Sequence, residues 1–177
     1  MSAAISSRKI YCFDTSAFVT LSRTDENIIQ IPGALWELLE KMMQNGEVIS
    51  HKLVFEEISS NSKKPDFITK WVMDKERFFI NRTQTQLDSI PKIVSNFPGL
   101  IDPLREHEQA DIWLIALAVE RAQDNPLFGG NTAIVVSQEN PNSSKKIPAA
   151  CNFLGIKHMS LREFFDEIGL GVELIKR

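Results

Sequence analysis

Four acidic residues stand where an acid has a direction or a cost. Asp14 directly follows the apolar run Ile10–Phe13. That run reads as a buried strand, which puts Asp14 at its carboxyl edge. A turn-and-cap role ahead of a helix fits it equally well. Glu57 lies in Leu53-Val54-Phe55-Glu56-Glu57-Ile58. At ~100° per residue, Leu53, Val54, Glu57 and Ile58 share one helical stripe, with Glu56 on the far side. A carboxylate drawn inward is costly unless it is paired, protonated or bound to a metal. Asp111 sits at the edge of the inward stripe Ile112, Ile115, Ala116, Val119 and Ala122, with Glu108 a turn earlier. Favourable charge at a helix N-terminus is the other reading for both acids. Glu139 follows the apolar run Ala133–Val136 in Ser137-Gln138-Glu139-Asn140, where an ordinary loop acid is the alternative.

Brought to one rim, these carboxylates would repel and raise one another's pKa. A hard divalent cation with oxygen ligands, Mg²⁺ or Mn²⁺, removes that cost. Such an ion polarises a phosphate and acidifies a bound water, so phosphodiester hydrolysis is within reach without a Ser, Cys or His nucleophile. Thr15 and Ser16 add hydroxyls beside Asp14. His51, His107 and His158 show no ligand spacing and read as surface or capping residues. Cys12 and Cys151 lack a C-x-x-C spacing and read as reduced packing residues.

The elements that would position these acids alternate. Short apolar strands are predicted at Ile10–Phe13, Glu47–Ile49, Ala133–Val136 and Ile156–Met159, with a weaker one at Phe78–Ile80. Helices are predicted from Thr15 to Leu21, from Pro32 to the Asn45-Gly46 stop, and from His51 to Ser59, capped by Ser50. Further helices are predicted over Asp66–Lys75, with Phe67, Trp71 and Met73 inward, and over Gln84–Asn96, weakened by Pro91. The clearest runs from Glu106 to Ala122. Pro148 opens another that stops at Gly155, and Ser160 with Glu163 forms a capping box for the last, through Ile168. This alternation predicts an α/β protein with helices on both faces of a mostly parallel sheet of about five strands, a three-layer α/β/α arrangement. Ligands in such sheets bind outside the carboxyl ends of the strands, near a switch in strand order.

The chain has 177 residues, 43% apolar and 24% charged, which suits one domain with a core of its own. The reading is a flexible tail over residues 1–8, a single domain over 9–170 and a C-terminal tail over 171–177. No apolar stretch approaches the ~20 residues of a membrane span. Residues 1–7 lack the apolar core of a signal peptide, so a cytoplasmic protein is expected. The net charge of −3 argues against coating nucleic acid by bulk charge, but not against a local basic rim.

At this point the residues resemble the PIN domain, the fold of many toxin-type ribonucleases, and in particular the DUF4411 branch. Tyr11-Cys12-Phe13-Asp14-Thr15-Ser16 is similar to its first motif. Trp36, then Val48-Ile49-Ser50 with Val54-Phe55-Glu56-Glu57-Ile58, looks like the second. Ala110 through Ala118 looks like the third, and Val135-Val136-Ser137-Gln138-Glu139 like the fourth. Lys146-Ile147-Pro148, Cys151 and Gly155-Ile156 also resemble that branch. The match runs along nearly the whole chain in order. The resemblance implies a five-stranded parallel sheet, one or two Mg²⁺ or Mn²⁺ ions and cleavage of RNA. Asp14, Glu57 and Asp111 would be metal ligands and Glu139 the fourth catalytic acid. Glu139 departs from the commoner Asp or Asn, which points to an indirect or water-mediated contact.

Thr15, Ser16, Ser137, Lys145 and Lys146 are the candidate substrate contacts, the two lysines because they follow the Glu139 loop. Lys63, Lys64, Arg77, Arg82 and Arg105 are further cations, and a solvated charged surface explains each equally well. The resemblance also implies an antitoxin protein packed over the acidic pocket, and a homodimer. The apolar residues Leu170, Val172, Leu174 and Ile175 would suit either contact. An Asp-nucleophile phosphatase would want a second Asp where Ser16 stands. A receiver-like domain would want adjacent early acids and a late strand-end lysine. The alternative from another class is a catalytically silent PIN-fold protein-binding module.

Overall fold

The computed structural model describes residues 8–22, 33–60, 67–102, 104, 109–124, 130–140, 142–143 and 146–170. Five strands, β1 (Lys9–Phe13), β2 (Val48–His51), β3 (Phe79–Ile80), β4 (Thr132–Val136) and β5 (Lys157–Met159), form one sheet in the order β3-β2-β1-β4-β5. All the pairings are parallel. The helices between them are α1 (Thr15–Ser22), α2 (Gly33–Gln44), α3 (Lys52–Ser60), α4 (Phe67–Met73), α5 (Gln84–Asn96), α6 (Ala110–Gln123), α7 (Ile147–Leu154) and α8 (Leu161–Glu167). This is the three-layer α/β/α architecture expected. The order reverses at β1, whose two neighbours, β2 and β4, lie far apart in sequence, so the switch point falls where Asp14 leaves the sheet.

Alternation along the strands builds two cores. Tyr11, Phe13, Val48, Ile134 and Val136 meet α1 to α4 and α8 on one face. Ile10, Cys12, Ile49, Ala133 and Val135 meet α5, α6 and α7 on the other. Both cysteines are free and buried in this second layer, as packing residues would be. Phe164 wedges edge-on against both Phe13 and Tyr11, each at 4.9 Å between centroids, the geometry aromatic quadrupoles favour. The Ser160–Glu163 capping box and the left-handed Gly155 stop are both formed.

Several boundaries differ from the sequence expectation, each for a local reason. β2 runs on through Ser50 and His51, because the Ser50 hydroxyl donates across to the Phe13 carbonyl at 2.6 Å. The cap of α3 is therefore His51, whose Nδ1 accepts the Leu53 N–H at 3.1 Å. Pro91 lies inside α5 on its solvent side, where the carbonyl it leaves without a backbone donor is open to solvent. In α4 the buried residues are Ile68, Thr69 and Val72, while Phe67 and Met73 are exposed. Phe67 instead leans on the Trp36 ring at 5.0 Å. The expected start of α6 at Glu106 lies outside the described residues.

Phe164 of α8 is fully buried against β1, and Phe153 of α7 is 53% exposed. Phe164→Ala is expected to lower the unfolding free energy by about 3–5 kcal/mol. Phe153→Ala should change it by less than ~1 kcal/mol. Urea titration of both variants checks this.

Candidate active site

Asp14 is 4% exposed at the open end of β1. Its N–H donates to the Val136 carbonyl at 3.0 Å, so the β1–β4 ladder runs one step beyond the strands. Its carbonyl accepts from the N–H groups of Ala17 and Phe18 and starts α1. The two side-chain oxygens have different fates. Oδ2 accepts the N–H of Ser16 at 3.0 Å and the Ser16 hydroxyl, the capping arrangement. Oδ1 is buried and has no hydrogen-bond partner. Burial raises the Asp14 pKa, the hydrogen bonds from Ser16 and Thr15 lower it, and the charge of Glu139 raises it further.

Asp111 sits in the first turn of α6. Its pKa is pushed up to about 7, first by burial, then by the charges of Asp14, Glu139 and Glu57, with Lys146 opposing. The four acids singled out in the sequence therefore lie within electrostatic reach of one side chain. They arrive from different elements: Asp14 from the end of β1, Glu57 from α3, Asp111 from α6 and Glu139 from the loop after β4.

Each of the other two acids is held by a neighbour. Thr15 donates its hydroxyl to Glu57 Oε2 at 2.6 Å. Glu139 Oε2 accepts the Ile147 N–H at 2.8 Å, and Oε1 pairs with Lys146 Nζ at 3.1 Å. Glu139 thus ties down the start of α7, and Lys146 serves as its counter-charge. Ser16 also accepts the Gln138 N–H on its hydroxyl at 3.0 Å, linking α1 to the β4 loop. Ser137 is fully buried, with its hydroxyl 2.9 Å from His158 Nε2. Lys145, like Lys63, Lys64, Arg105, His107 and Glu108, lies outside the described residues.

Among the described residues, no three His, Cys, Asp or Glu side chains close around one ion. The donors nevertheless suit a hard cation that keeps much of its water. Mg²⁺ is usually held by one or two carboxylates and several waters. Asp14 Oδ1 is a buried carboxylate oxygen without a donor, and Asp111 is a carboxyl whose ionisation is opposed by burial and then by neighbouring acids. Both conditions are relieved by positive charge between them.

The family model for DUF4411, described as a domain of unknown function, matches residues 11–171. The chain belongs to the DUF4411 family. The matched span holds all four acids and every strand except the first two residues of β1. Among solved structures, this DUF4411 chain is similar to VapBC2 from Rickettsia felis bound to a DNA fragment from its promoter. The TM-score is 0.52 and the identity 16%, over 85% of this chain and 98% of the matched one. At that identity the likeness speaks for the fold, and the fold is PIN-like, as the motifs implied. No curated protein matches the chain.

The sequence reading had His51 and His158 as surface or capping residues and passed over Gln138. The structure makes His51 a buried cap and binds His158 to Ser137. The only signal in the sequence was position, His51 at a predicted helix start and His158 within the predicted strand Ile156–Met159.

The raised Asp111 pKa has a consequence for folding. The folded chain keeps the proton up to about pH 7, whereas the unfolded chain releases it near the ordinary 3.8. The folded state therefore binds more protons across that window, and stability falls as pH rises from about 4 to about 7. Without added metal, Asp111→Asn should flatten this slope and stabilise the chain at pH 8 relative to wild type. Urea unfolding at pH 5 and pH 8 measures both effects.

Proposed function

We propose that this DUF4411 chain is a Mg²⁺- or Mn²⁺-dependent endoribonuclease, the toxin of a toxin–antitoxin pair. The observation that supports this best is Asp111, crowded by Asp14, Glu139 and Glu57 at the switch point of the sheet. Catalytic acids are found where burial and like charges shift a pKa this far. The resemblance to PIN-type nucleases, the DUF4411 membership and the PIN-like fold point the same way.

In this reading Asp14, through Oδ1, together with Asp111 and Glu57, holds the cation. A divalent cation bound there supplies Lewis-acid polarisation of the phosphodiester and a more acidic water. Glu139 acts by its charge, because both of its oxygens are already engaged. Ser16 keeps the second oxygen of Asp14 occupied, so that Oδ1 faces the site. Thr15 orients Glu57. Lys146 exchanges part of its pairing with Glu139 for a phosphate of the substrate backbone, with Lys145, outside the described residues, as a further candidate contact. Ser137, buried against His158, supports the loop instead of touching substrate. An antitoxin covering the acids and a homodimer complete the proposal. No helix of the described residues is long and apolar enough to cross a membrane, and we place the protein in the cytoplasm.

A second reading has a specific observation behind it. No three of the described acids close around an ion, and Glu139 is satisfied within the protein. A PIN-like fold that binds only protein would look the same.

Incubation of the protein with total RNA and Mn²⁺, beside Asp14→Asn and Asp111→Asn, separates the two. Cleavage is expected in the wild type alone and should stop with EDTA. Each variant should lose more than ~100-fold in rate, since even groups behind a metal's ligands are worth about 10–100-fold. Mn²⁺ should also raise the melting temperature of the wild type but of neither variant. Cleavage that survives EDTA, or no thermal response to Mn²⁺, favours the silent module or an unrelated activity.

A further inference from the structure

Next to the acids, the same rim holds a second polar group, and this one is buried. The β1–β2 register, continued to the ends of both strands, sets His51 across from Asp14. Cys12 and Ile49 belong to the layer that packs α6, so Asp14 and His51, each two residues on, leave the sheet toward α6. His51 is fully buried, and its ring lies nearly parallel to that of Trp113, at 5.3 Å and 21°. Trp113 is the second residue after Asp111.

The hydrogen bonds give the ring a defined orientation. His51 Nδ1 accepts from Leu53, which leaves the proton of the neutral ring on Nε2. Gln86, also fully buried, donates its amide to Glu120 Oε2 at 2.8 Å, which turns its own Oε1 away from Glu120. Glu120 Oε1 accepts the Thr83 hydroxyl at 2.6 Å. His51 Nε2 and Gln86 Oε1 are left as a buried donor and a buried acceptor, each without a hydrogen-bond partner. Gln86 is near enough to act on His51 through such a bond. Three polar side chains in an apolar layer cost more than leucines would. What they add is direction, because a donor–acceptor chain fixes the plane of the imidazole.

The first turn of α6 needs that direction. Its N-cap residue, Gln109, makes no capping bond, and its amide is instead spent on the Asp102 backbone, at 3.0 and 2.9 Å. The turn is therefore seated by packing, and Trp113 is its large buried side chain. We propose that His51, Gln86 and Glu120 form a buried relay that holds the imidazole flat against Trp113 and thereby fixes Asp111 relative to Asp14. His51 and Gln86 are positioning residues for the cation site. This rests on the reading of Asp14 and Asp111 as ligands.

Gln86→Leu breaks the relay from a helix that carries none of the acids. Glu120→Gln keeps an acceptor for the Gln86 amide. Val72→Ala removes buried volume from α4, a helix that carries neither an acid of the site nor a member of the relay, and controls for general loss of stability. Free Mn²⁺ is followed by electron paramagnetic resonance during titration of each full-length chain. Gln86→Leu should bind Mn²⁺ ~10-fold more weakly, whereas Glu120→Gln and Val72→Ala should bind like wild type. Unchanged affinity in Gln86→Leu, or an equal loss in either of the other two, overturns the inference and leaves the nuclease reading intact. If the wild type binds no Mn²⁺, the nuclease reading fails. Amide exchange of the metal-free chains then decides the relay alone. Faster exchange at Leu114 and Ile115, whose N–H groups close the first turn of α6, in Gln86→Leu but not in Val72→Ala supports it; matching rates in Gln86→Leu and wild type sink it.

Discussion

Mutual repulsion among carboxylates governs how the carboxyl rim of this sheet is built. Burial first, and then the charges of Asp14, Glu139 and Glu57, push the Asp111 carboxyl up to about 7. Such crowding opposes folding at the pH where all four would be charged. A chain selected for stability alone would replace one or two of them. Their presence together is a cost with a specific spatial pattern, which marks the rim as the candidate functional site on physical grounds.

The neighbours relieve that repulsion unevenly. Glu139 is paired with Lys146 and accepts the α7 N–H of Ile147, and Thr15 supports Glu57. Asp14 divides its oxygens, one tied to Ser16 and the other left bare. The helix-cap reading of Asp14 thus holds for Oδ2 and leaves Oδ1 for the proposed chemistry. Asp14, at the end of β1, and Asp111, in the first turn of α6, are close enough for the charge of one to act on the other. A cation that keeps most of its water shell needs little more than that.

The alternation of short apolar strands with helices was enough to read the layers, because β1 and β4 are buried on both faces. Helical periodicity also separated Glu57, which is half-buried, from the exposed Glu56. Other features depend on partners distant in the chain. Ser50 read as a helix cap because its bond to Phe13, 37 residues away, cannot be seen locally. His51 read as a helix start for the same reason, and the link from Gln86 to Glu120 spans 34 residues. In α4 the inward stripe was misjudged because Phe67 packs on Trp36 at the surface instead of entering the core. What the sequence conveys well is periodic burial. What it conveys poorly is a single long-range polar bond.

The origin of the four acids adds a structural requirement. Glu57 belongs to a helix of one layer and Asp111 to a helix of the other, while Asp14 stands in the sheet between them. The site is a seam, and its geometry depends on how firmly the two helical layers are referenced to β1. Ordinary apolar packing resists separation well but resists sliding and rotation less, since its contacts have no direction. The directional contacts at this rim lie along the seam. Ser50 ties β2 to β1, Ser16 ties α1 to the β4 loop, Thr15 ties α1 to α3, and the His51–Trp113 stack ties β2 to α6. Buried polar groups are costly in a small protein. Their placement here follows from the need to hold like charges at set distances, which close packing alone cannot do.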